Sequence, residues 1–299
     1  MTSLSTAPRS VQGWFAADPD ALLAALAPEV VLTFAGRRII GPQAVAAHLR
    51  SMPSRDPGTV EWTVLPGGDD RHVTVRGTGP GGAPLPSPGG PMTAMDFAFT
   101  LDDQGLISGV SPHPHHTEPR DLAPVLPLGT IAPDFVLPDV TGTPVPLRHD
   151  GSPATVVIFT CNPCPWALGW HDRLQRVARD YADRGVRVLQ VNANDPAVSP
   201  KDTVADSRQR VDAGQFAGPY LVDEGQRVAR VWGARHTPDV FVLDAGGAVA
   251  YHGAPDADVD DETLDADWLR GALDAVLSGG TPDPAATPAT GCTIKWTLR

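Results

Sequence analysis

Two cysteines, Cys161 and Cys164, stand in the stretch Phe159-Thr-Cys-Asn-Pro-Cys-Pro-Trp166, directly after the apolar run Val156–Thr160. That spacing puts a C-x-x-C pair where a buried strand gives way to a helix. The thiolate is the working form of cysteine, and the free N–H groups and positive dipole end of a helix N-terminus stabilise it. In such motifs the thiol pKa falls from about 8.5 to between roughly 3.5 and 7.5. Two intervening residues on a first turn bring the second sulfur within bonding reach of the first. Cys161 is then the expected exposed attacker and Cys164 the more buried resolver. Pro163 fixes φ in the first turn, where its missing N–H costs nothing, and Pro165 extends the stiffening.

Other residues join this pair as candidates. Thr237-Pro238 lies directly before the apolar run Val240–Leu243, and X-Pro bonds are where a cis peptide is expected. A third cysteine, Cys292, follows the Pro/Gly-rich segment Gly279–Gly291, which is long enough to fold back over the domain. There it would attack a mixed disulfide on Cys161 or resolve a sulfenic acid; the bland alternative is a packing cysteine in a C-terminal strand with Ile294 and Trp296. A structural zinc site would need two further ligands beside Cys161 and Cys164. Only Cys292 and scattered histidines such as His171, His236 and His252 are on offer, so no metal is expected. His113, His115 and His116 form the densest histidine cluster and read as solvated spacer residues. His72 and Asp96 lie in strand-like runs and read as exposed strand faces.

The elements that would hold the pair alternate in type. Val156–Thr160 and Val186–Asn192 are apolar, β-branched runs of the kind found in buried strands. Between them, over Pro163–Asp183, residues Trp166, Trp170, Leu174, Val177 and Tyr181 recur at spacings of four, four, three and four. That predicts one amphipathic helix joining two parallel strands. Val240–Leu243 and Val249–Tyr251 form a hairpin around Asp244-Ala-Gly-Gly, and an acidic helix over Thr263–Leu277 closes the domain.

The N-terminal third reads as helices followed by strands. Val11–Ala27 is helical, with Asp18 capping a second helix that opens on Pro19. A strand at Val30–Phe34, a Gly-Arg-Arg hairpin, a strand at Ile39–Ile40 and a helix at Gln43–Leu49 follow. Val60–Val64, His72–Arg76, Thr93–Leu101 and Leu106–Val110 alternate as antiparallel strands do, and Gly77–Pro91 is a loop. Ser111–Pro127 holds five prolines without periodicity and reads as an extended linker. The division is therefore 8–112, a linker at 113–125, and 126–299.

Composition limits the partners. The chain has 299 residues and a formal net charge of −12 at pH 7, with no basic patch in either half, so nucleic acid and anionic membrane surfaces are excluded as partners. No run of 18 apolar residues exists to span a membrane. Residues Met1–Gly13 are polar and make no secretory signal. Three cysteines with motif spacing suit a reducing compartment, so the expected location is cytoplasmic.

Two resemblances add to this reading. "VLPLGTIAPDFVL" from Val125, "FTCNPCPW", "NANDP", "YLVDEGQRVARVWGARHTPDVFVLD", "YHGAPD" and the terminal "TGCTIKW" resemble the alkyl hydroperoxide reductase/thiol-specific antioxidant group of thioredoxin-like proteins. The resemblance is to a redoxin-type subfamily with a Cys-Asn-x-Cys-Pro active site. It implies an α/β thioredoxin fold and thiol–disulfide exchange, with Cys161, Cys164, Thr237 and Pro238 at the functional positions. In that fold a cis-proline faces the active cysteines, and its neighbour's backbone pairs with bound peptide. The tryptophan that thioredoxins carry before the first cysteine is Thr160 here. The stretch "LLAALAPEVVLTFAGRRIIGPQAVAAHL" from Leu22 resembles the opening of the nuclear-transport-factor-2-like superfamily, which includes the SnoaL-like polyketide cyclases. It implies an α+β cone that holds an apolar cavity and often forms homodimers.

Together these readings predict an oxidoreductase whose only redox group is its own disulfide, with no further cofactor. It would be reduced by a low-molecular-weight thiol or a thioredoxin-type system, and would act on a disulfide or a small molecule held by the N-terminal domain. Two alternatives stand beside it. A thiol-dependent peroxidase would set its cysteine in Pro-x-x-x-Thr/Ser-x-x-Cys, but those positions hold Ala154 and Ile158 before Cys161, and Val157 and Cys161 before Cys164. Alternatively, the N-terminal cone is a small-molecule lyase, isomerase or cyclase with the redoxin domain as accessory.

Overall fold

The computed structural model describes residues 2–297 apart from 17, 35–36, 52–59, 86–91, 117 and 149–150. The chain divides into two compact units, Met1–Thr117 and Glu118–Arg299.

The first unit opens with a short strand β1 (Thr2–Ser3) and helices α1 (Arg9–Trp14) and α2 (Pro19–Ala25). Asp18 caps α2 through its side chain onto the Asp20 N–H at 3.0 Å, with Pro19 at the first helical position. Then come β2 (Leu26–Phe34), β3 (Arg37–Ile40), helix α3 (Pro42–Ser51), β4 (Glu61–Val64), β5 (His72–Thr78), β6 (Met92–Leu101) and β7 (Ile107–His116). They form one seven-stranded sheet in the order β1-β4-β5-β6-β7-β2-β3. The tip of the β2–β3 hairpin at Gly36 and the part of the Gly77–Pro91 loop from residue 86 onward lie outside the described residues. Trp14, Phe97 and Phe99 fill the core under the helices, with Phe15 and Trp62 packed against them.

The stretch expected to be a linker begins inside β7. His113, Pro114 and His115 pair with Asp96, Met95 and Ala94 of β6. Among the described residues no pairing joins β7 to β2 past Val110, which is the edge setting where proline's missing N–H is tolerated. The remainder, from Glu118, is bound to the second unit. Arg230 bonds Asp121 at 2.8 Å, Arg235 bonds Glu118 at 3.1 Å, and the Leu126 N–H donates to Trp232 O at 3.1 Å.

The second unit starts with a small hairpin, β8 (Val136–Pro138) and β9 (Pro144–Pro146). Strand β10 (Ala154–Thr160) leads to helices α4 (Pro165–Gly169) and α5 (His171–Asp180), and then to β11 (Arg187–Asn192). Helix α6 (Val204–Asp212), strand β12 (Tyr220–Val222), helix α7 (Arg227–Trp232) and the two-residue β13 (His236–Thr237) follow. The hairpin β14 (Asp239–Asp244) and β15 (Val249–Gly253), helix α8 (Asp267–Leu277) and β16 (Cys292–Thr293) complete it. The central sheet has the order β12-β11-β10-β14-β15, with β10, β11 and β12 parallel and β14 and β15 antiparallel. Two apolar cores cover its faces, one around Phe159, Trp232 and Phe241, the other around Ile158, Trp170, Tyr251 and Leu269.

The helix expected over Pro163–Asp183 is two helices, broken at Trp170. A side chain at Gly169 would meet Val259 at 2.4 Å, and Trp170 is buried with its indole N–H donating to Asp256 at 2.6 Å. The same Asp256 accepts from the Ala266 N–H at 3.0 Å and holds Ala266 at φ 58, so α8 starts at Asp267 rather than at Thr263. Among the described residues no helix is long and apolar enough to cross a membrane.

Candidate active site

Strand β10 is buried along its whole length, between β11 on one side and β14 on the other. It delivers Cys161 at its C-terminal end, as the sequence predicts. Helix α4 begins later than expected, at Pro165, and its N-cap is Cys164. The cap position, where free N–H groups converge, therefore belongs to the second cysteine.

Thr237–Pro238 is a cis peptide, and Thr237 lies against both sulfurs. Cys161 Sγ lies 3.5 Å from Thr237 Oγ1, and the Cys164 thiol faces Thr237 O at 2.9 Å. Cys292 reaches the same place through a ladder, with β16 pairing antiparallel to β13 so that Cys292 sits opposite Thr237. Cys161, Cys164 and Ala167 form one buried cluster, with Cys292 and Trp166 packed against it. Trp166 in turn stacks on Trp170 at 5.5 Å. All five residues expected at the site, Cys161, Cys164, Thr237, Pro238 and Cys292, are thus brought together.

Their exposure differs from the expectation. Cys161 and Cys164 are each 3% exposed, while Cys292 is half-buried. There is no exposed attacker and buried resolver within the pair, because the strand end and the cap position are covered alike. Burial opposes charge on Cys164, but its neighbours Cys161, Cys292, Thr237 and the Ala167 N–H outweigh it and favour holding that thiol below the ordinary range. The Thr237 carbonyl is the one acceptor that favours its proton, and one acceptor does not balance those donors. Cys161 goes the other way, pushed up by its hydrogen bond to Cys164, by burial, and by the charges of Cys164 and Asp202. Cys292 is pushed up by its hydrogen bond to Cys164 and by burial. These neighbours favour ionising Cys164 ahead of Cys161.

Sequence reasoning missed what fixes the loop. Asn162, between the cysteines, is buried. Its amide donates to Lys201 O and Ser207 Oγ, both at 2.9 Å, and its carbonyl accepts from Tyr220 Oη at 3.0 Å. Its backbone N–H donates to Asp202 at 2.7 Å. Asp202 is 5% exposed and also accepts from Asn192, Asn194 and Ser199. The available signal was the polar run Asn192-Ala-Asn194 directly after a buried strand, since buried amides require partners.

The residues set aside from the site fall elsewhere. His72 is exposed and bonds Asp69 at 2.9 Å. Asp96 is not an exposed strand residue. It is 8% exposed, paired to Arg76 through two bonds of 2.7 Å and to His115 at 2.8 Å, because a carboxylate in a sheet centre needs such partners to be buried.

Comparison with known proteins agrees with this architecture. Residues 128–252 match the AhpC/TSA family and residues 8–110 match a SnoaL-like domain. The crystal structure of a hypothetical protein from Sinorhizobium meliloti 1021 is similar, with 38% identity and a TM-score of 0.56, over 60% of this chain and 99% of that one. An uncharacterized conserved protein from Geobacillus kaustophilus shares 34% identity at a TM-score of 0.55, over 58% of this chain and 95% of that one. Thiol-disulfide oxidoreductase ResA of Halalkalibacterium halodurans is 25% identical over 121 residues, which is 40% of this chain and 65% of that protein. The chain thus spans under two thirds of that curated relative. The chain joins a SnoaL-like domain over residues 8–110 to an AhpC/TSA-family domain of thioredoxin-like fold over residues 128–252.

Proposed function

We propose that the second unit is a thiol–disulfide oxidoreductase whose working couple is Cys161–Cys164. The observation that carries this is the convergence of both sulfurs on Thr237, ahead of cis-Pro238, at the end of a buried strand. Neighbours that favour ionising Cys164 ahead of Cys161 support it, since exchange needs one thiolate and one thiol ready to follow. In a full turn the two thiols give up two electrons and two protons and join as a disulfide, while a substrate disulfide takes both and separates into two thiols. A low-molecular-weight thiol or a thioredoxin-type protein returns the electrons. The relatives named as thiol-disulfide oxidoreductases support the same chemistry. Sparse cysteines placed at motif spacing support a cytoplasmic setting, where the couple would be kept reduced.

Titration of the full chain in dithiothreitol redox buffers, read by thiol-trapping mass spectrometry, tests the proposal. The expected result is a reversible two-electron Cys161–Cys164 couple with a potential between about −120 and −270 mV. A pair that stays reduced throughout that range removes the reading.

A further inference from the structure

The C-terminal segment does more than cover the site. Residues 294–297 are built into the fold. Ile294 and Trp296 are buried in the core, the Ile294 N–H donates to Arg235 O at 2.9 Å, and the Asp195 N–H donates to Lys295 O at 2.8 Å. Gln226 clasps the segment from both sides, donating to Lys295 O and accepting from the Thr297 N–H, each at 2.8 Å. These contacts hold Cys292 against the Cys161–Cys164 cluster.

Two consequences follow. The backbone edge of His236–Thr237, which runs beside the sulfurs, is already paired with Cys292–Thr293. The fit is close, since a side chain on Gly291 would meet Thr237 O at 2.4 Å. An extended peptide has no free edge there on which to align its disulfide. Of the three thiols, moreover, Cys292 has the solvent access that the other two lack.

We propose that Cys292 is a third redox cysteine, which takes the first attack on a low-molecular-weight disulfide and passes the bond inward to Cys164 and then Cys161. This rests on the oxidoreductase reading above. As the Cys292 sulfur begins its attack, its proton passes to the Cys164 thiolate, a transfer uphill on the ordering above that is drawn forward only by protonation of the leaving sulfur. The attack on RS–SR forms Cys292–S–S–R and releases RS⁻. That RS⁻ takes the proton back from Cys164 and leaves as RSH. The Cys164 thiolate attacks the Cys292 sulfur, expelling the second RS⁻ and forming a Cys164–Cys292 disulfide. Cys161 then attacks Cys164. The Cys164–Cys292 bond breaks, and Cys292 departs with the Cys161 proton. The sum is one RS–SR reduced to RSH and RS⁻, with Cys161–Cys164 oxidised in its place and the single negative charge conserved.

The test uses the full chain and glutathione disulfide as probe. In Cys161→Ser, acid quenching and non-reducing peptide mapping are expected to find glutathione first on Cys292 and then a Cys164–Cys292 disulfide. Glutathione on Cys164 with Cys292 left free overturns the proposal. With Cys161 intact, Cys292→Ser and Cys292→Ala are each expected to react with glutathione disulfide at least about tenfold more slowly than the natural chain. Both should still form the Cys161–Cys164 disulfide at equilibrium in dithiothreitol buffers, which shows that they fold. Equal rates in all three chains overturn the relay while leaving the oxidoreductase reading intact. Loss of the Cys161–Cys164 couple from the natural chain would defeat that reading instead. Insulin is expected to be reduced more slowly than glutathione disulfide; the reverse order overturns the assignment to small disulfides.

Discussion

At the scale of single residues, the arrangement separates two thiols that are equally buried by giving them different neighbours. Cys164 collects donors, while Cys161 faces the Cys164 charge and the Asp202 carboxylate. Because the Cys164 thiol is held down, thiolate absorbance in the ultraviolet should persist well below the ordinary thiol range of about 8.5. It should vanish in Cys164→Ser, and its survival there would place the charge elsewhere. Asp202→Asn tests the other neighbour. Removing that negative charge lowers the cost of ionising Cys161, so the second thiolate should appear at lower pH in an absorbance titration than it does in the natural chain. The same change turns one acceptor of Asp202 into a donor facing Asn194 and Ser199, and is expected to cost about 1–3 kcal/mol in denaturant unfolding. The candidate site residues could be proposed from sequence because C-x-x-C is a local pattern and the resemblance adds the Thr-Pro before a strand. The location of the charge could not. It depends on the helix starting at Pro165 rather than before it, and on Cys292 arriving from 128 residues further along.

At the scale of elements, strand and helix types follow the apolar periodicity, and their ends are set by buried polar groups that no periodicity reports. Asp256 is the clearest case. At 1% exposure it accepts from Trp170 Nε1, the Ala266 N–H and the Arg173 guanidinium, which itself also bonds the carbonyls of Asp258, Val259 and Asp261. It breaks one expected helix and delays another. Asp256→Ala leaves a buried guanidinium without its carboxylate and should cost about 3–5 kcal/mol. A chemical-denaturation midpoint close to that of the natural chain would show that the surrounding carbonyls suffice for Arg173. The C-terminal strap is held by apolar burial as well as by hydrogen bonds. Trp296→Ala should cost about 3–5 kcal/mol and loosen Cys292 with it. The expected signs are a lower unfolding midpoint and faster alkylation of Cys292 than in the natural chain. The sequence pattern Ile294-x-Trp296 showed alternation suited to a strand, but not which edge it would join, since pairing between distant segments leaves no local trace.

At the scale of the whole molecule, each unit owns a core, and the question is where one ends. Composition placed a linker across the prolines of 111–127, because proline density and lack of periodicity look alike in a linker and in a strand edge fixed by long-range pairing. In the fold the first few of those residues extend β7, and Glu118–Leu126 lies on the second unit. Gly233, at φ 68, is what admits it, since a side chain there would meet Pro124 O at 2.3 Å. Arg235 adds a bond of 3.3 Å to Ala123 O. A domain that owns its core is expected to fold alone, so the fragment 118–299 should keep a reversible Cys161–Cys164 couple at the potential of the full chain. A fragment begun at residue 128, where the family match starts, would lose those contacts and leave Arg230 and Arg235 without their carboxylates. It should unfold earlier in urea, by about 1–3 kcal/mol, with the couple still formed. Equal midpoints for the two fragments would mean that 118–127 contributes nothing to the second unit. A fragment 118–299 that lacks the couple would mean that the redox site depends on residues before 118, and the chain would then have to be treated as a single cooperative body.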